Sequence, residues 1–168
     1  MRRFLVITGK LIRDLIDFFY PPFSKFFSRQ FFRYGATGSA NVLFDWALYS
    51  LTYNFVLQKQ IIDIPFINLS ISAHIAALLI TFPITLLTGF LLQKYVTFTA
   101  SDMKGKKQLT RYMSVVGVNL LINYFGIKLL VETFRFYPTI SKMIVTVICT
   151  AFSYFSQKYF TFKVSAKK

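Results

Sequence analysis

Four apolar segments, at about residues 35–57, 69–93, 112–131 and 138–157, each supply the ~20 residues that a helix needs to span ~30 Å of hydrocarbon. Their polar interruptions are few: Asp45 in the first, His74 in the second, Lys128 in the third and Lys142 in the fourth. The connections are short, so consecutive spans are expected to run antiparallel. A chain of 168 residues that is 55% apolar, with 21 Phe and 10 Tyr against six acidic residues, holds more large side chains than one small soluble core absorbs. The surplus is expected to face lipid. The fold class that follows is an all-α membrane protein with four transmembrane helices, in which no sheet edge is left open to hydrocarbon.

The net charge of +14 invites a nucleic-acid partner, but the placement of the basic residues excludes one. Nucleic-acid binders gather Lys and Arg on one face of a polar domain. Here the basic residues flank the apolar runs. Seven lie within residues 1–33, five more between Lys94 and Arg111, and four in the C-terminal stretch from Lys158, against only Lys59 and Arg135 in the two opposite loops. That asymmetry predicts both termini in the cytoplasm.

Residues 2–19 lack the uninterrupted apolar core and small-residue cleavage site of a signal peptide. Instead Phe4, Ile7, Leu11, Leu15 and Phe18 recur at three- and four-residue spacing among Arg3, Lys10, Arg13, Asp14 and Asp17. Such a pattern predicts an amphipathic helix lying in the membrane interface, ended at Pro21-Pro22, that anchors the chain or docks a partner enzyme. Three segments are thus expected: 1–30 interfacial, 31–163 transmembrane and 164–168 a basic cytoplasmic tail. Cys149, the one cysteine, rules out an intrachain disulfide and reads as a small hydrophobe.

The chain repeats itself. Gln93-Lys94-Tyr95-Val96-Thr97-Phe98 returns as Gln157-Lys158-Tyr159-Phe160-Thr161-Phe162, and Arg33-Tyr34 with Asn41 and Asp45 matches Arg111-Tyr112 with Asn119 and Asn123. A tandem duplication of a two-span hairpin accounts for both, its halves related by a pseudo-twofold axis along the membrane normal. An Arg-aromatic pair, a small-residue stretch, Asn and Asp one turn apart, and a closing amide-Lys-x-x-Thr-Phe box resemble the GtrA-like family across about residues 29–163. The family usually has Asn where Gln93 and Gln157 stand, and often Trp where Val96 and Phe160 stand. The resemblance implies a small bacterial inner-membrane protein. Its substrate would be an undecaprenyl-phosphate-linked monosaccharide, moved or presented for polysaccharide or teichoic-acid glycosylation. Its partner would be a membrane glycosyltransferase.

Read with that resemblance, Arg33, Lys94, Arg111 and Lys158 form a candidate phosphate-gathering set at the cytoplasmic span ends, since Arg in particular donates two hydrogen bonds at once to phosphate. Simple topology control by the same charges explains them equally well. Asn41, Asp45, Gln93, Asn119, Asn123, Lys142 and Gln157 form candidate polar stripes along the spans, for a headgroup or for helix–helix packing. Asp45 fits packing poorly: it lies ~15 Å along its span, where burying a carboxylate costs about 2.5–3.5 kcal/mol. Lys142 is its simplest counter-charge. One His and one Cys build no metal site, and no glycine-rich phosphate loop is present. No metal, cofactor or catalytic residue is therefore expected, and the chain reads as no enzyme. Two other readings remain: a proton-coupled exporter using Asp45, and a scaffold for a glycosyltransferase. Gly35, Gly38, Ser39 and Ala40 offer a close-packing face, from which a homo-oligomer is expected.

Overall fold

Residues 2–60, 62–64, 69–101, 103 and 105–164 are described by a computed structural model. Five helices follow in order: α1 (Arg2–Phe18), α2 (Arg29–Leu51), α3 (Ala73–Leu92), α4 (Gly105–Lys128) and α5 (Pro138–Ser156). Their starts follow from local chemistry. Pro21–Phe23 forms a 3-10 turn after α1, since a proline pair cannot extend a helix. Ser28 is extended, and its Oγ accepts from Phe31 N at 3.3 Å, capping α2. Pro138 opens α5 in the first turn, where its missing N–H has no intrahelical partner to lose.

Each of α2 to α5 ends in a five-residue π turn, at Thr52–Val56, Gln93–Thr97, Leu129–Thr133 and Gln157–Thr161. The widened ring is closed by bonds such as Leu57 N to Thr52 O at 2.9 Å and Phe162 N to Gln157 O at 2.8 Å. The two similar boxes at Gln93–Thr97 and Gln157–Thr161 therefore both take a π turn. Beyond the first and third of these turns, Gln58, Lys59 and Arg135 take positive φ and turn the chain away.

The apolar segments and the helices do not coincide. Leu69–Ile71 pairs antiparallel with Ile62–Ile64 as a short two-stranded ribbon, so α3 begins at Ala73 rather than 69, and the expected all-α fold carries this one addition. The helix of the third segment begins at Gly105 rather than 112, because charge ends an apolar run without ending a helix. Pro83 lies inside α3, on an exposed face.

Two helical segments among the described residues, Ala73–Thr97 and Gly105–Thr133, are both long and apolar enough to cross a membrane. The burial pattern is that of a chain solvated by lipid. Val42, Leu43, Trp46, Leu120, Phe125 and Val147 lie exposed, whereas the buried set includes Thr37, Thr81, Thr85, Gln93, Gln157 and Thr161. In water that partition would be inverted.

The chain divides into two compact units, Met1–Thr97 and Phe98–Lys168. In the first, α2 and α3 pair antiparallel and α1 lies across the π turn of α3. Gly9 permits this: a Cβ there would stand 2.8 Å from Tyr95 O. In the second, α4 and α5 pair antiparallel, with Gly126 against Val145, whose Cγ2 would be 3.0 Å from an added Cβ. Phe98 stacks on Phe162 with centroids 5.1 Å apart.

Candidate functional site

The box of the first unit is built inward from Thr37. This residue is 1% exposed, and its hydroxyl donates to Arg33 O at 2.8 Å. The same oxygen accepts from Gln93 Nε2 at 3.4 Å and lies 3.2 Å from Thr97 Oγ1. One turn on, Asn41 Nδ2 donates to Thr85 O at 3.1 Å, and Asn41 Oδ1 accepts from Thr88 Oγ1 at 2.8 Å. The polar residues of α2 and α3 thus face each other and hold the hairpin together, as polar side chains do between helices in hydrocarbon. Thr88 had no place in the sequence reading, because its partner Asn41 lies 47 residues away on another helix.

The second unit is bonded differently at the matching positions. Cys149 Sγ donates to Asn119 O at 3.8 Å, and Gln157 Nε2 donates to Ser153 Oγ at 3.1 Å. Val115 occupies the position equivalent to Thr37 and is buried. Among the described residues, the buried Gln157 Oε1, Thr161 Oγ1 and Asn119 Oδ1 have no hydrogen-bond partner. Gln93 Oε1, in the first unit, has none either.

The four candidate phosphate ligands fall into two kinds. Lys94 Nζ sits 5.7 Å and 5.5 Å from the ring centroids of Phe90 and Tyr95. Lys158 Nζ sits 5.7 Å and 5.2 Å from those of Tyr154 and Tyr159. Each ammonium stands near the rings at i−4 and i+1, a cation–π arrangement that favours a fixed position for the charge. The arginines are already engaged. Arg33 donates from Nε and Nη2 to both carboxylate oxygens of Asp17, on α1. Arg111 Nη1 donates to Phe160 O at 2.7 Å, with its guanidinium 4.6 Å from the Phe160 ring.

Asp17, counted in the sequence only as one more charge on a polar face, is the acidic partner of Arg33. Its carboxyl is held below its ordinary value chiefly by the hydrogen bond from Arg33; burial opposes this, while the charges of Arg33, Arg29 and Arg13 reinforce it. Arg29 also lies over the Tyr20 ring at 5.4 Å.

Asp45 is half-buried one turn beyond Asn41 and, among the described residues, has no hydrogen bond or ion pair. The side chain of Lys142, its expected counter-charge, lies outside the described residues. Asn123 is half-buried on α4. Lys128 reaches Glu132 at 4.0 Å, and His74 is exposed with Nε2 3.4 Å from Ser72 Oγ.

A slot of ≈ 280 Å³ opens between α1, α2 and α3. Leu5, Gly9 and Ile12 form one wall, with Ala40, Phe44 and Leu91 opposite, and Asn41 and Thr88 lie at its base.

No curated protein and no solved structure matches the chain. The family model described as the GtrA/DPMS transmembrane domain matches residues 33–162, from the first arginine of the repeat to the last residue of the second box. With the lipid-facing exterior and the two paired boxes, that match makes this chain a membrane protein of the GtrA/DPMS transmembrane-domain family.

Proposed function

We propose that this protein moves an undecaprenyl-phosphate-linked monosaccharide across the bacterial cytoplasmic membrane, and in doing so presents it for polysaccharide or teichoic-acid glycosylation. Both termini and both boxes would lie on the cytoplasmic side, following the basic residues. Family membership supports the substrate class. The observation that carries the reading is the pair of boxes, each ending a helix in a π turn and each setting a lysine near two rings.

A phosphate and a sugar cannot cross hydrocarbon without polar partners. The lysine of each box offers a positioned charge at the span end, with spare guanidinium donors on Arg33 and Arg111 to add to it. Asp45 offers a partner deeper in the span for sugar hydroxyls, whereas Asn41 is already spoken for by Thr85 and Thr88. The tail stays in the bilayer, so a protein-lined groove suffices in place of a closed pore. The chain's part is non-catalytic, and direction comes from consumption of the sugar on the far side by a membrane glycosyltransferase.

The carboxylate of Asp45, without a partner among the described residues, also favours a second reading, a small proton-coupled exporter. Transport of labelled undecaprenyl-phosphoglucose by purified protein in liposomes distinguishes them. Under the first reading the lipid-linked sugar crosses without an imposed pH gradient, and Lys94→Met with Lys158→Met slows it. Under the second it does not cross. Absence of transport together with normal glycosyltransferase activation would leave only a scaffold.

A further inference from the structure

The slot under α1 is a place made for a hydrocarbon chain. Two of its three short polar side chains are engaged, Thr88 donating to Asn41 at 2.8 Å and Asn41 to Thr85 O at 3.1 Å, and Thr8 is the third. Water would find walls that are almost wholly apolar, and apolar cavities stay dry or take an apolar guest. A cavity of about 150 Å³ holds the six carbons of benzene. In proportion, ≈ 280 Å³ takes about ten carbons, or two isoprene units.

Helix α1 has three faces, which explains why the slot persists. At 100° per residue, Leu5, Gly9, Ile12 and Ile16 point to one side. Phe4, Ile7, Leu11, Leu15 and Phe18 lie about 120° away and are exposed. Arg3, Lys10, Arg13 and Asp17 occupy the third side. One face therefore meets the protein, one meets lipid and one meets the aqueous interface. Gly9 seats the protein face on Tyr95, and the small side chain at Ala40 leaves the opposite wall hollow.

Charge lies at the end of the slot. Arg13 follows Ile12 of the slot wall, and Arg33 stands two turns, about 10 Å, before Ala40 on α2. With Arg29 these three arginines surround Asp17, and Asp14 lies 4.0 Å from Arg13. Three guanidiniums against two carboxylates leave a net positive site, to which Arg33 still brings donors that Asp17 does not use.

We propose that this slot holds the head-proximal isoprene units of the polyprenyl phosphate, with the phosphate at the Arg13–Arg29–Arg33 cluster. The inference rests on the function proposed above and gives the substrate's tail a site on the protein. A slot of ≈ 280 Å³ suits a lipid with a single tail and a single phosphate. A phospholipid would place one acyl chain inside and leave the other outside.

The full chain in phosphatidylcholine nanodiscs is irradiated with polyprenyl phosphate carrying a diazirine on its second isoprene unit, and the adducts are mapped by mass spectrometry. Label is expected on the peptides containing Leu5–Ile12 and Leu91–Tyr95. Unlabelled polyprenyl phosphate should displace it and phosphatidylglycerol should not. Ala40→Trp, which fills the slot, should lower the labelling about tenfold, about 1.4 kcal/mol. Val42→Trp, on the exposed lipid side of the same helix, should leave it unchanged. If Ala40→Trp does not fold, Leu5→Trp fills the slot from the opposite wall.

Label scattered over lipid-facing residues overturns the proposal, as does equal competition by phosphatidylglycerol or labelling unaffected by either slot-filling variant. The liposome transport assay separates this failure from that of the function. Transport with scattered label refutes the slot alone, whereas slot labelling without transport refutes the proposed translocation and keeps the site.

Discussion

One difference between the two units is a hydroxyl that can be exchanged between them. Thr37 puts a hydroxyl within 3.4 Å of Gln93 Nε2 and within 3.2 Å of Thr97 Oγ1. In the second unit Val115 stands at the equivalent position, one turn from Arg111, which bonds Phe160 O, and one turn from Asn119, which accepts from Cys149. Thr and Val have nearly the same shape, so exchanging them changes hydrogen bonding and little else. Thr37→Val removes one acceptor and leaves the Gln93 amide and the Thr97 hydroxyl buried without it. Buried orphans cost about 1–3 kcal/mol each in water-soluble proteins. Interhelical polar contacts in membranes average about 0.6 and reach about 1.7 kcal/mol. The loss expected for Thr37→Val is therefore about 1–2 kcal/mol. Val115→Thr supplies a partner for Thr161 Oγ1, now without one, and should stabilise by about 0.6 kcal/mol.

Thermal unfolding at fixed detergent and protein concentration checks both. A chain of this size shifts by about 2–4 °C per kcal/mol, so Thr37→Val should lower Tm by about 2–8 °C. Val115→Thr should raise it by a degree or two. The double exchange should fall between the single variants, because the two sites share no hydrogen-bond partner. A neutral Thr37→Val, or a Val115→Thr that destabilises as much as Thr37→Val, would refute the reasoning. Either result would mean that the two boxes are not equivalent sites.

Acid should loosen α1. The Asp17 carboxyl titrates below its ordinary value, so its contribution is fully present above the ordinary carboxylate range and is lost as pH falls through the lowered value. Proteolysis of α1 in nanodiscs should rise as the pH is lowered below about 4, and Asp17→Asn should show the higher rate at neutral pH with no such rise. Gly9→Leu, whose Cβ would stand 2.8 Å from Tyr95 O, should release α1 from the π turn, read as a gain in spin-label mobility at position 7. Cysteine at Gly38, where an added Cβ would meet no atom within 4 Å, should crosslink between copies in native membranes if the small-residue face is a subunit contact. Failure at Gly38 and its helical neighbours would favour a monomer.

Hydropathy made the solvent of this chain legible, and with it the lipid-facing exterior. It did not mark helix ends, because an apolar run reports hydrocarbon whereas a helix obeys caps and hydrogen bonds. Ser28 and Pro138 were readable as starts; Gly105 was not, since Lys106 and Lys107 continue a helix as well as any apolar residue. The paired boxes were evident as text, but their π turns were not, because a five-residue widening changes no hydrophobic spacing. Asn41 could be placed on a polar stripe without revealing that the stripe faces Thr85 and Thr88.

Asp17 shows where local reading ends. Its partner Arg33 lies sixteen residues away, across a proline turn whose geometry decides whether the two side chains meet. Periodicity placed Asp17 on the polar face of the first helix and charge asymmetry counted Arg33 among the basic residues, and neither pairs the two. Once they pair, α1 ceases to be an independent anchor and becomes the third wall of a slot that α2 and α3 alone would leave open to the bilayer. The consequence is testable in one variant. If the ion pair holds α1 over the slot, Asp17→Asn should weaken slot labelling by the photoactivatable polyprenyl phosphate even though residue 17 lines no part of it. Unchanged labelling in Asp17→Asn would mean that Gly9 on Tyr95 suffices to seat the helix, and that the Arg33 pair serves only to set its charged face.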